Sequence, residues 1–101
     1  MAQQLKITVL KRDLYKDFVD AYAVDKATPA CSVYEDGQTF ILDSFDIPEG
    51  FCSWAWADIH RDIVAVYNGA NYPWINQEHM IISCCTDGMR PVTFKIERIG
   101  A

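Results

Sequence analysis

The sequence lacks the features that identify several large functional classes. It has nine Lys and Arg against fourteen Asp and Glu and a net charge of -5, which argues against binding to nucleic acid or to an anionic membrane surface. No apolar run approaches the roughly 20 residues of a membrane span. Residues 1–4 lack a charged segment leading into an apolar one, so we expect a cytoplasmic protein.

Several chemical signatures are missing as well. The chain has no phosphate-binding glycine loop, no dinucleotide motif and no nucleophile elbow. Its four cysteines form no C-x2-C pair and no zinc-finger spacing, and irregular spacing in a cytoplasmic protein favours reduced thiols. The sequence therefore identifies no particular reaction.

The residues that are present predict one small α+β domain over 1–101. Half of them are apolar and 13% are aromatic, which is typical of a globular chain. Period-two alternation and turn signals predict strands over 5–10, 38–42, 80–85 and 91–99, and two helices lie between them. The order is β-α-β-α-β-β with a C-terminal hairpin, so we expect a sandwich or a half-open barrel.

The two helices are predicted from caps and four-residue steps. Asp13 is the expected cap of the first, with Leu14, Phe18 and Tyr22 as its apolar stripe. Ser53 is the expected cap of the second, which should run to about Asn68.

At about 100° per residue, the apolar stripe of the second helix centres on Trp56. The opposite face collects polar residues, namely Asp58, Arg61, Asp62 and Asn68. His60 lies roughly 40° from Trp56, inside the stripe. It is either a core histidine bonded to a carbonyl or a Tyr hydroxyl, or a ligand or proton shuttle facing a pocket.

The start of this helix carries the other candidate groups. Cys52 precedes the cap, where free backbone N–H groups favour the thiolate, although most free cysteines are simply small buried residues. Trp54 projects from the polar side and should be covered by a loop or by another subunit. Trp54 and Trp56 are the expected walls of a ligand site, and Arg90 at the last hairpin could bind a carboxylate.

Cys84 and Cys85 are neighbours on a predicted strand, so their side chains should point to opposite faces. Cys52, His60 and one of these two thiols could converge, together with Cys31, on a transition metal such as zinc or iron. The same groups could form a nucleophilic Cys52 with His60 as its base. No sequence signature separates the metal site from the thiol enzyme.

Four segments carry a resemblance: Lys6–Arg12, Cys31 with Gly37–Phe40, Pro48–Trp56 and Cys84–Ile99. Together they resemble a family of short bacterial and archaeal proteins of unknown activity. The Trp-rich and double-cysteine segments are the specific ones, and Ser32 stands where the family often has proline. The resemblance supports the domain boundaries and implies no mechanism.

Three functional hypotheses follow. The first is binding of a small ligand or metal in a pocket lined by Cys52, His60 and one of the paired cysteines. The second is an accessory or interaction module, a homo-oligomer included, that uses aromatic residues such as Trp54, Tyr72 and Trp74. The third is a thiol-dependent enzyme with one cysteine far more reactive than the rest.

Overall fold

Alternating apolar residues place the first strand at the centre of the sheet. In the computed structural model, which describes residues 3–100, β1 spans Gln4–Arg12 and completely buries Leu5, Ile7 and Val9. The other elements follow as α1 (Lys16–Tyr22), β2 (Thr39–Leu42), α2 (Ser53–Tyr67), β3 (Met80–Cys84) and β4 (Val92–Ile99). The predicted element order and α+β class are confirmed.

The four strands form one open antiparallel sheet in the order β2-β1-β4-β3. Ile7 lies opposite Phe40 on one side and Ile96 on the other, so apolar side chains of three strands meet on one face. β3 and β4 form the expected C-terminal hairpin. The register of β1 shifts between Val9 and Lys11, which is the effect of one extra residue in a β-bulge.

Helix α2 covers this apolar face and so builds a two-layer sandwich. The side chains that it buries lie along one stripe and are Ala55, Ile59, Asp62, Ile63 and Val66. Ile59, Ile63 and Val66 are buried as predicted, but the centre of the stripe is about 75° from Trp56, so the helix is rotated relative to the prediction. Trp56 and His60 lie at its half-buried margin. Within residues 3–100 no helix is long and apolar enough to cross a membrane.

Asp62 is the clearest departure from the predicted polar face. Its side chain is buried, and one carboxylate oxygen accepts a 2.8 Å hydrogen bond from the Ser83 hydroxyl on β3. Nε of Arg61 lies 3.9 Å from the other oxygen. Burial raises the pKa of Tyr72, and the nearby Asp62 carboxylate adds to the effect. The strand thus supplies the partner that a buried carboxylate requires.

Helix α1 starts later than predicted and buries a different residue. The N–H of Asp13 donates to the carbonyl of Pro91, and that of Tyr15 donates to the carbonyl of Met89. Because residues 13–15 are held by the β3–β4 loop, the helix begins only at Lys16. Val19 is then fully buried, while the expected stripe residues Phe18 and Tyr22 are exposed.

Candidate functional site

A cavity of about 360 Å³ opens beside the N-terminal end of α2. Three separate segments form its walls: the loop before β2, the first turn of α2 and the β3–β4 loop. The lining residues are Cys31, Val33, Tyr34, Cys52, Trp54, Ala55, Cys85, Thr86, Asp87, Gly88, Arg90 and Val92. A volume of this size lies within the usual range of small-molecule sites.

Tyr34 connects the cavity to the hydrophobic core. Its ring makes edge contacts with Phe40, Phe51 and Phe94 at centroid distances of 6.1, 5.3 and 5.4 Å. Its hydroxyl oxygen accepts a 3.1 Å hydrogen bond from the backbone N–H of Cys52. The aromatic neighbours enclose the ring, so the hydroxyl end faces the wall that contains the thiols.

The structure brings three of the four thiols to this one cavity. Cys31 and Cys52 are half-buried there and Cys85 is buried, whereas Cys84 is exposed and lies outside it. The predicted opposite orientation of Cys84 and Cys85 is confirmed. Burial raises the pKa of Tyr34 above its ordinary range, and the charges that the three cavity thiols can carry act in the same direction.

Cys52, and not Ser53, is the residue that caps α2. Its backbone is extended, with φ -69° and ψ 126°, and its carbonyl accepts the first helical hydrogen bond, from the N–H of Trp56. No side-chain oxygen caps the helix, and Ser53 is already its first residue. The Tyr34 hydroxyl fixes the Cys52 backbone, so the loop before β2 and the start of α2 are positioned together.

Trp54 lies on the cavity wall but is not covered by a loop. The residue is 67% exposed, so within residues 3–100 of a single copy of the chain no loop covers it and the packed-loop alternative was wrong. The indole Nε1 donates to the hydroxyl of Thr86 at 3.3 Å. That hydroxyl donates in turn to the Asp58 carboxylate at 2.9 Å. A hydrogen-bonded chain therefore joins α2 to the loop after β3.

Arg90 and Asp87 form the charged part of the wall. Asp87 accepts the backbone N–H groups of Met89 and Arg90 through Oδ1, both at 3.1 Å. Its Oδ2 lies 3.3 Å from the Arg90 Nε. The carboxylate holds the turn and orients the guanidinium. The structure thus places Arg90, predicted as a ligand contact, on the same cavity as the thiols.

Two other predicted site residues, His60 and Trp56, do not line the cavity. The His60 ring packs on Trp56 at a centroid distance of 5.5 Å, and Trp56 packs on Phe51. The cavity therefore offers no imidazole beside Cys52. Throughout residues 3–100, no three His, Cys, Asp or Glu side chains are grouped so that they could hold a metal ion. The predicted zinc or iron site gains no geometric support there.

Sequence reasoning missed Tyr34 and Asp87. Tyr34 lies in an irregular loop, where no periodicity marks a residue as buried. The only available signal was a tyrosine directly before the polar turn Glu35–Gly37. Asp87 was missed because its three hydrogen bonds depend on the conformation of residues 88–90, which no residue pattern shows.

No family model, no curated protein and no solved structure matches this chain. The resemblance to a family of short bacterial and archaeal proteins therefore stays a prediction.

Proposed function

We propose that this protein binds a small, largely apolar organic molecule in the cavity beside the start of α2. The single observation that carries the proposal is the convergence of three distant segments on a hollow of about 360 Å³. Clefts formed where several segments of a folded chain meet are the usual location of small-molecule sites. The lining combines thiols, an indole and one guanidinium, which is the usual mixture of apolar walls and few polar groups in ligand sites.

Ala55 gives a direct test because it is buried on the cavity wall. Replacing it with Leu places a larger side chain in the space that the ligand would occupy. We expect the neutral fluorescent dye prodan to bind the original protein with a blue-shifted emission. Ala55→Leu should weaken this binding by about tenfold or more, which corresponds to about 1.4 kcal/mol.

Ala57→Leu is the matched control, because Ala57 lies two residues along the same helix on an exposed surface. It adds the same side chain away from the cavity and should leave dye binding unchanged. Circular dichroism would establish that both variants fold. The proposal would be contradicted if Ala55→Leu and Ala57→Leu weakened dye binding equally, or if Ala55→Leu did not weaken it.

The cysteines provide a second test that needs no substitution. Cys31 and Cys52 lie on the cavity wall, while Cys84 is exposed outside it. Saturation with prodan should slow alkylation of the first two by iodoacetamide and leave the rate at Cys84 unchanged. Mass spectrometry of the peptides reports all rates in one sample. Uniform rates with and without dye would count against a ligand in this cavity.

A further inference from the structure

The polar groups around the cavity differ in whether they already have partners. Trp54 donates its only side-chain N–H to the Thr86 hydroxyl oxygen, and the Thr86 hydroxyl donates its hydrogen to Asp58. Each Asp87 carboxylate oxygen already has a donor, two at Oδ1 and one at Oδ2. Sulfur is only a weak hydrogen-bonding group, and the Sγ of Cys85 already accepts the backbone N–H of Val92 at 3.3 Å.

Two residues of the wall keep donor groups that no side chain or backbone atom of residues 3–100 accepts from. Among residues 3–100, nothing accepts from the Nη1 or Nη2 groups of Arg90, whose side chain is about one-third exposed. Within the same range, nothing accepts the hydroxyl proton of Tyr34, a residue that is only 2% exposed. A buried donor without an acceptor loses the hydrogen bond that it made to water in the unfolded chain. The lining side chains therefore keep more unused donor hydrogens than unused lone pairs, and a ligand with acceptor groups suits them best.

Building on the proposed binding function, we propose that the ligand is an apolar monocarboxylate. The carboxylate accepts from the free Nη groups of Arg90, because ionic hydrogen bonds of this kind are about twice as strong as neutral ones. The Tyr34 hydroxyl donates to a further lone pair of the ligand. The apolar body lies against Ala55, Val92 and the thiols.

The charge of the ligand follows from the same inventory. A cationic ligand would bring donors to a wall that already has unused donors and a guanidinium, so it would leave hydrogen bonds unmade and face like charge. A neutral amide could accept hydrogen bonds but would gain no ionic attraction to Arg90. Asp87 offsets part of the Arg90 charge through their 3.3 Å ion pair, but it contacts only Nε, so both Nη groups stay free to bind an anionic group.

Three probes of nearly the same shape test this inference: 3-phenylpropionate, 3-phenylpropanamide and 3-phenylpropylamine. Isothermal titration at neutral pH should give the tightest binding for the carboxylate, by about tenfold or more over the amide, and the weakest for the amine. Raising the salt concentration should weaken the carboxylate and leave the amide nearly unaffected, because salt screens exposed charges.

Arg90→Gln should reduce the affinity for 3-phenylpropionate to that of the amide. Arg61→Gln is the matched control, since Arg61 is a highly exposed arginine of α2 that does not line the cavity. It should leave the preference intact. If Arg90→Gln fails to fold, the salt dependence of the original protein still decides the question.

The outcomes separate the two proposals. Equal affinity for all three probes, or a preference without salt dependence, would overturn the carboxylate inference and leave cavity binding standing. Absence of binding by every probe, with unchanged alkylation of Cys31 and Cys52 in the presence of prodan, would overturn both. A salt-sensitive preference that Arg90→Gln removes and Arg61→Gln keeps would support the inference.

Discussion

Asp58 and Thr86 lie 28 positions apart, yet one carboxylate oxygen of Asp58 accepts both the backbone N–H and the hydroxyl of Thr86, at 2.8 and 2.9 Å. This pair connects the first half of α2 to the loop that follows β3. The same hydroxyl also accepts from the Trp54 indole. One wall of the cavity is thus held in place by a polar contact between two segments that are remote in the chain.

Replacing Asp58 with Ala should lower the free energy of unfolding by about 1–2 kcal/mol, because hydrogen bonds to a charged acceptor are lost at a partly exposed site. Asp43→Ala is the control, since Asp43 is exposed and its carboxylate has no partner within residues 3–100. Urea unfolding followed by circular dichroism measures both. Equal stability of the two variants would show that the Asp58–Thr86 contact contributes nothing.

The contact between buried Asp62 and half-buried Ser83 should show energetic coupling. In a double-mutant cycle of Asp62→Ala and Ser83→Ala, we expect a coupling energy of about 1–2 kcal/mol, because each single change leaves the other polar group without its partner at a site with little water. The measurement is again the free energy of unfolding in urea. If the two single changes in the free energy of unfolding add up to that of the double variant within about 0.3 kcal/mol, the 2.8 Å contact does not contribute to stability.

Stability should fall steeply in alkaline solution because of Tyr34. Burial raises its pKa in the folded protein, so above the unfolded value of about 10 the unfolded chain loses this proton first. The stabilisation is complete below that pH and is lost as the pH rises toward the folded pKa, at up to about 1.4 kcal/mol per pH unit. Tyr72, whose pKa is also raised, adds in the same direction.

Tyr34→Phe should make this alkaline loss shallower, although at neutral pH the variant is less stable by about 1–3 kcal/mol, because the N–H of Cys52 loses its acceptor. Tyr22→Phe is the control, since that ring is 80% exposed. Urea titrations at about every pH unit between about 7 and 11 measure how the free energy of unfolding changes with pH. An identical slope in Tyr34→Phe and the original protein would contradict the assignment.

Gly69 should be intolerant of a side chain, unlike Gly88. Gly69 follows α2 with φ 90°, and an added Cβ would lie 3.1 Å from Nη1 of Arg98. We expect Gly69→Ala to lower stability by about 1 kcal/mol or more. At Gly88 the φ angle is not positive and no atom of residues 3–100 lies within 4 Å of such a Cβ, so Gly88→Ala should be neutral. Thermal melts distinguish the two.

Local patterns were sufficient for the sheet. Leu5, Ile7 and Val9 alternate in a strand that is buried on one face only, and the same holds for Val92, Phe94 and Ile96. Period-two alternation of apolar residues directly indicates a strand with one buried face. The terminal hairpin followed from the turn signal between the predicted strands 80–85 and 91–99, because such a signal depends on adjacent residues alone.

The orientation of α2 could not be predicted in the same way. A stripe centred on Trp56 and one that contains Asp62 are both compatible with the apolar spacing, and the choice depends on where Ser83 lies on a strand 21 positions away. The start of α1 was missed for a related reason, since contacts of Asp13 and Tyr15 with the β3–β4 loop override the local cap signal.

The candidate site was predicted in part because its residues are chemically unusual. Cysteine, tryptophan and arginine stood out in the sequence, and five of those candidates do share a cavity: Cys31, Cys52, Cys85, Trp54 and Arg90. His60 was wrongly placed among them because the predicted helix orientation was wrong. Tyr34 was missed because its burial depends on three phenylalanines from other parts of the fold.

The three walls of the cavity come from residues 31–34, 52–55 and 85–92, which meet only when the whole chain has folded. An unfolded chain consequently has no such cavity, and a molecule that bound there would stabilise the native state by an amount that grows with the logarithm of its concentration above its Kd. Abundance in a living cell would then respond to the concentration of that molecule.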